Sequence, residues 1–116
     1  MPSNRATGVR LRALRELVDA TAEDIQARVG RGQHVGRMVR AGVRTAAAHV
    51  VHESRSVIAG LLEAAGASAQ FLENPLQHAK RDVDVISGHV VFDCDVGREL
   101  VGALEIGAKV SPLAMI

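Results

Sequence analysis

The stretch Gly66–His89, GASAQFLENPLQHAKRDVDVISGH, decides how this chain folds. It holds a helix stop followed by a helix start. Gly66 closes one long helical pattern, and glycine is the residue that ends helices at no steric cost. Asn74 and Pro75 open the next. An Asn side chain caps free backbone N–H groups, and proline fits the first helical position because it has no N–H to satisfy. Leu76, Ala79, Val83, Ile86 and Val90 then recur at steps of three and four, the spacing of one helix face. The pattern predicts a third helix from Pro75 to about Phe92. Residue preference points the other way: Val83 to Val96 is rich in β-branched residues, contains Gly88, and reads alone as a strand. The Asn-Pro start favours the helix.

Upstream, residues 1–7 read as a loose end with Pro2, Ser3 and Asn4. From about Gly8, Leu11, Leu14, Val18, Ile25 and Val29 mark a first helix, stopped by Gly30 and Gly32. A long second helix is predicted over about His34 to Ala65, about 45 Å at about 1.5 Å per residue. One stripe on it is Val39, Val43, Ala46, Val50, Val57, Leu61 and Ala65. A second, small and polar, is Thr45, His49, His52 and Ser56. Residues 67–73 form a short connection, with Phe71 and Leu72 expected against the bundle. Downstream, Asp93 or Asp95 caps a fourth helix bearing Val96, Leu100, Val101 and Leu104, which ends at Gly107. The tail over 109–116 is apolar, with Val110, Leu113, Met115 and Ile116 expected to pack on a neighbour.

The 116 residues suit a single domain spanning 1–116. Its 47% hydrophobic content includes two Phe and no Trp or Tyr, so the core must be Val, Leu, Ile and Ala. Scarce aromatics argue against base-stacking nucleic-acid modules. Residues 1–44 hold nine Arg against four acids, and the remainder holds five basic residues against nine acids. The two halves are therefore able to attract each other, within a chain or between chains, and no basic block is dense enough for nucleic acid. Cys94 is alone, which excludes a disulfide framework and fits a reducing cytoplasm. No apolar run approaches a membrane span or the core of a signal peptide.

AAGASA, a short gap, NPLQ, then KRDV, and a His seven residues past the Asp resemble the C-terminal helical domain of flavin-dependent monooxygenases built on the acyl-CoA dehydrogenase fold. The resemblance runs from about Leu11 to Gly107. It implies an all-α, up-and-down bundle of about four helices, completed by oligomerisation. It aligns with the last of that family's three parts, and two alternatives follow: a fragment or split gene, or a stand-alone bundle. By resemblance, His89 lies near the flavin ring and the substrate, where it donates a hydrogen bond to a flavin peroxide or takes a phenolic proton. Read from the residues alone, His89 instead bonds Asp93 or Asp82. The resemblance also implies that Asp82 helps orient the helix, that Arg81 reaches neighbouring backbone or the cofactor, and that Gly66 and Ser68 form the turn that approaches the flavin or its neighbouring subunit. His78 departs from the family, which commonly has Arg there. The implied cofactor is FMN or FAD when the missing domains are supplied, and none in the isolated chain otherwise. The implied substrate is a small aromatic or polyketide-like molecule.

His49 and His52 lie three apart with Glu53 adjacent, but no third or fourth ligand is aligned with them. They are expected to line a substrate cavity, and no metal is expected. Expected partners are a second or further copies of the chain, in a dimer or tetramer, a separate flavin-binding chain, and a small hydrophobic substrate. The rival readings are a flavin-free cyclase or hydrophobic-ligand-binding protein, and an assembly subunit for a partner oxidoreductase.

Overall fold

The computed structural model describes residues 4–111. Four helices follow one another: α1 (Asn4–Gly30), α2 (Arg37–Ala65), α3 (Pro75–Ser87) and α4 (Cys94–Glu105). Two single-turn 3-10 helices lie between them, at Ala67–Gln70 and Val90–Phe92. Among the described residues there is no strand, so the helix expected after Pro75 is present.

Each helix end follows from local chemistry. The Asn74 side chain accepts a hydrogen bond from the Leu76 N–H at 3.0 Å, and Pro75 takes the first helical position. Replacing Asn74 with alanine is expected to cost about 1 kcal/mol, read as a lower urea midpoint with an unchanged slope. Asp93, not Asp95, caps α4, accepting from the N–H groups of Asp95 and Val96. Helices α1 and α4 close alike. The Gln33 N–H reaches Arg28 O at 2.9 Å and the Ala108 N–H reaches Ala103 O at 2.9 Å, with Gly32 and Gly107 at φ of 71° and 72°. That is the Schellman arrangement, which needs the left-handed conformation glycine adopts freely.

Helix α2 is the hub. It packs against α1, α3, α4 and the Val90–Phe92 turn. The packed face of α2 centres on Ala41, Arg44, Ala48, Val57 and Leu62. It is completed by Leu14 of α1, Val83 of α3 and Leu100 of α4. Small residues set the close α2–α4 approach. A Cβ placed on Gly97 would stand 3.2 Å from the Thr45 hydroxyl, which is itself bonded back to Ala41 O. The chain is long and narrow, 50 × 28 × 24 Å. Its radius of gyration is 17.1 Å, against about 13 Å for a compact chain of this length.

Several expectations are corrected. Helix α1 begins at Asn4, so residues 4–7 are helical, and α2 begins at Arg37 rather than His34. Phe71 and Leu72 are about two-thirds exposed rather than tucked in, because the connection passes over the end of the bundle. Helix α3 stops at Ser87, and Ile86 and Val90 are exposed. The Val39, Val43, Ala46 and Val50 stripe is half-buried. Of the tail, Val110 is half-buried, while Leu113, Met115 and Ile116 lie outside the described residues.

Ion pairs tie the helices together. Arg10 bonds Glu53 at 2.9 Å, joining α1 to α2. Arg55 and Lys80 both bond Asp84, at 3.0 and 2.6 Å, the first joining α2 to α3. The hydrogen bond from Arg10, helped by the charges of Arg10 and His49 against some desolvation, holds the Glu53 carboxyl below its usual range. Lys80 does the same for Asp84, with Arg55 adding to it. A carboxyl lowered on folding stabilises the fold above its unfolded titration and loses that contribution as pH falls through its folded value. Both ties are therefore complete at neutral pH and weaken below about pH 4. Urea midpoints measured from pH 7 to pH 3 are expected to drop on the acid side, and Glu53→Gln is expected to flatten part of that drop.

Candidate functional site

The polar centre of the molecule is where α3 fails to continue. Gly88 remains near helical geometry, at φ −76° and ψ −11°, and its N–H bonds tightly back to Val85 and Ile86. His89 then turns extended, at ψ 137°. Its side chain caps the next turn: Nδ1 accepts a hydrogen bond from the Val91 N–H at 3.2 Å. His89 is thus a cap residue between two helical segments, not a residue on α3, and it bonds neither Asp82 nor Asp93. Its ring also meets the Phe92 ring edge-on, centroids 6.2 Å apart.

That cap assigns the ring's protons. A nitrogen that accepts carries no hydrogen, so neutral His89 has its proton on Nε2. An imidazolium would lose the cap, because both its nitrogens donate. The remaining polar atom of the neutral ring is therefore a donor.

The turn below His89 is held from α2. Arg44, 7% exposed, donates from Nε to Val91 O at 3.3 Å and from Nη2 to Val90 O at 3.2 Å. His52 Nε2 lies 2.8 Å from Phe92 O. A carbonyl only accepts, so that nitrogen is the donor. All three carbonyls of the turn are thereby met by α2. This also explains why α3 ends early: partners on α2 replace the hydrogen bonds a continued helix would have made.

His52, Ser87, His89, Asp93, Cys94 and Asp95 border one polar cleft of about 270 Å³, together with Gly88 and Val90. The structure therefore brings His89 and His52 together. It does not bring His49 to them. His49 is exposed and borders a different cleft with Leu17, Thr45, Cys94 and Arg98. Arg81 and Asp82 are exposed on α3, with Arg81 bonded to His78 Nδ1 at 3.1 Å. Gly66 ends α2 at φ 74°, and the Ser68 hydroxyl reaches back to Ala65 O at 3.5 Å. Gly66, Ser68, Arg81 and Asp82 do not border the cleft of His52 and His89. Among the described residues no group of three or more His, Cys, Asp or Glu is placed to hold a metal ion.

Sequence reading overlooked Arg44, counting it only among the basic residues of the first half. A signal was available. Arg44 lies three residues after Ala41 and four before Ala48, on the face where small side chains leave room for a long one.

A second feature is an apolar groove of about 400 Å³ between α1 and α2. Leu17, Val18 and Ile25 form one wall, and Val43, Ala47 and Val50 the other. It is open along one side.

An up-and-down bundle around one central helix, with a polar cleft at a broken third helix, defines an all-α domain. Residues 6–94 match the profile of the acyl-CoA dehydrogenase C-terminal domain, and the chain belongs to that family. The crystal structure of the HsaA monooxygenase from M. tuberculosis superposes with a TM-score of 0.73 and 23% identity, over 93% of this chain. The chain spans 30% of the length of that protein, and the likeness is one of fold. No curated protein sequence matches the chain. No helix among the described residues is long and apolar enough to cross a membrane.

Proposed function

We propose that this chain is the helical-bundle part of a flavin-dependent monooxygenase related to acyl-CoA dehydrogenases, acting on a small aromatic or polyketide-like substrate. The observation that carries this reading is His89, exposed on a polar cleft with its donor nitrogen left for a ligand. FMN or FAD would be seated with further protein, and Gly66, Ser68, Arg81 and Asp82 are the residues of this chain that would approach it. The flavin, when bound, supplies the activation of oxygen. The chain's own part is a hydrogen bond from His89 Nε2–H to an oxygen at the cleft mouth. Of the two roles considered for His89, donation is favoured: taking a proton at Nε2 requires the ring to change tautomer and abandon the cap. His52 lines the same cleft, but its Nε2 is engaged with Phe92 O.

The test is titration of FMN and FAD into the chain, alone and with a flavin-binding partner chain, following flavin fluorescence. A response with the partner is expected, and silence in every mixture removes the reading. In a reconstituted enzyme, His89→Ala is expected to lower turnover about 100-fold.

The α1–α2 groove favours self-association as part of the same reading. An open apolar face of this kind seeks a cover, and a second copy is always at hand. An open groove also supports an assembly role better than the enclosed ligand-binding role, for which a closed cavity would be needed.

A further inference from the structure

We propose that Arg44 and His52 are positioning residues that hold His89 in its donor form, acting through the backbone of the Val90–Phe92 turn. This rests on the reading of His89 as a hydrogen-bond donor.

The chain of contacts is short and continuous. Arg44 grips Val90 O and Val91 O, and His52 grips Phe92 O. The same turn presents the Val91 N–H to His89 Nδ1 and the Phe92 N–H to His89 O at 2.9 Å. The peptide groups that fix the His89 ring and backbone thus belong to residues anchored on α2. Besides these, the Asp93 N–H bonds Val90 O at 3.1 Å and the turn packs on α2. Val90 is exposed, Val91 and Phe92 are half-buried, and Gly88 precedes them. Without its anchors the turn is three residues between two helix ends, and its amides become free to rotate away from Nδ1. The ring then loses the bond that keeps its proton on Nε2. Arg44 touches no ligand in this arrangement. Its Nε and Nη2 donate to carbonyls of the turn and it does not border the cleft, so its effect on the cleft passes through the orientation of His89.

The experiment reads both ring nitrogens of His89 by long-range proton–nitrogen NMR on the whole nitrogen-15-labelled chain, at a pH where the ring is neutral. In the unsubstituted protein, Nδ1 is expected to be unprotonated and Nε2 protonated. Arg44→Met keeps the aliphatic fill and removes the donors. It is expected to average the two nitrogens toward a tautomer mixture and to speed Val91 amide exchange at least about tenfold. Arg44→Lys, which keeps one donor, is expected to restore part of the original pattern. Should Arg44→Met fail to fold, His52→Ala and His52→Gln carry the test, because His52 is only half-buried. Alanine is expected to loosen the ring, and glutamine, whose amide still donates, to keep it. A proton on Nδ1 in the unsubstituted protein, or an unmoved His89 pattern in folded Arg44→Met or in His52→Ala, overturns the proposal. The measurement needs no flavin. A fixed Nε2–H ring with no flavin response would therefore remove the flavin reading and leave this one standing.

Discussion

Leu100→Ala is expected to lower stability by about 2–4 kcal/mol, seen as a fall in urea midpoint without a change in slope. Among the described residues, the buried apolar ones are Leu14, Ala41, Ala48, Val57, Leu62, Val83 and Leu100. Two of these are alanines, which contribute closeness more than apolar area. The large side chains in the set are therefore few, and Leu100 is the one that α4 supplies. Truncating it removes the transfer energy of the lost carbons and leaves a void. The rigid α2–α4 seam cannot close over that void, because Gly97 already meets Thr45 one turn earlier. Domains of this size are stable by only about 5–15 kcal/mol, so the loss is a large share of the total. Ile106 is the control: it is 83% exposed, and Ile106→Ala is expected to change stability by less than about 0.5 kcal/mol. A change below about 1 kcal/mol for Leu100→Ala would mean that α4 is not anchored on α2 as described.

Val18→Glu is expected to weaken self-association at least about 100-fold, equivalent to about 2.8 kcal/mol at about 1.4 kcal/mol per decade. Val18 is 48% exposed on the α1 wall of the open groove. In the isolated chain a glutamate there reaches water and costs little, so helix content and urea midpoint should hold. Across a covered groove the same carboxylate is buried among Leu17, Ile25, Val43 and Val50 with no partner, which is expensive. The two measurements separate assembly from folding. Sedimentation of the unsubstituted chain across a wide concentration range should show a dimer or tetramer that the variant lacks. A chain monomeric throughout would end the self-association reading.

The difference between what could and could not be read ahead is clearest around Gly88. The Asn74 cap and Pro75 act within one turn of themselves, so their effect was legible as a helix start. The end of that helix was not. Neither the periodic stripe nor the β-branched run predicts a stop at Ser87, because the stop is stabilised by Arg44 and His52, which lie 46 and 40 residues away from their partners Val90 and Phe92. His89 is a candidate by resemblance, but its place as a cap between helices and the assignment of its ring proton depend on those distant anchors. His49 and His52 look equivalent on one helical stripe. They part because the Val90–Phe92 turn meets His52, through Phe92 O, and leaves His49 exposed.

By itself, then, the order of residues determined that this chain is helical, where its glycines and cap residues punctuate it, and to which family it is akin. The first two are matters of periodicity and nearest-neighbour chemistry, which act over a single turn; the kinship rests on the order of the AAGASA, NPLQ and KRDV motifs and the His that follows. Only the tertiary structure decided which residues of α2 are buried, which histidines share a cleft, and which imidazole nitrogen is left to donate. Those depend on carbonyls and side chains brought together from opposite parts of the chain, and no local pattern encodes a meeting between residues so far apart.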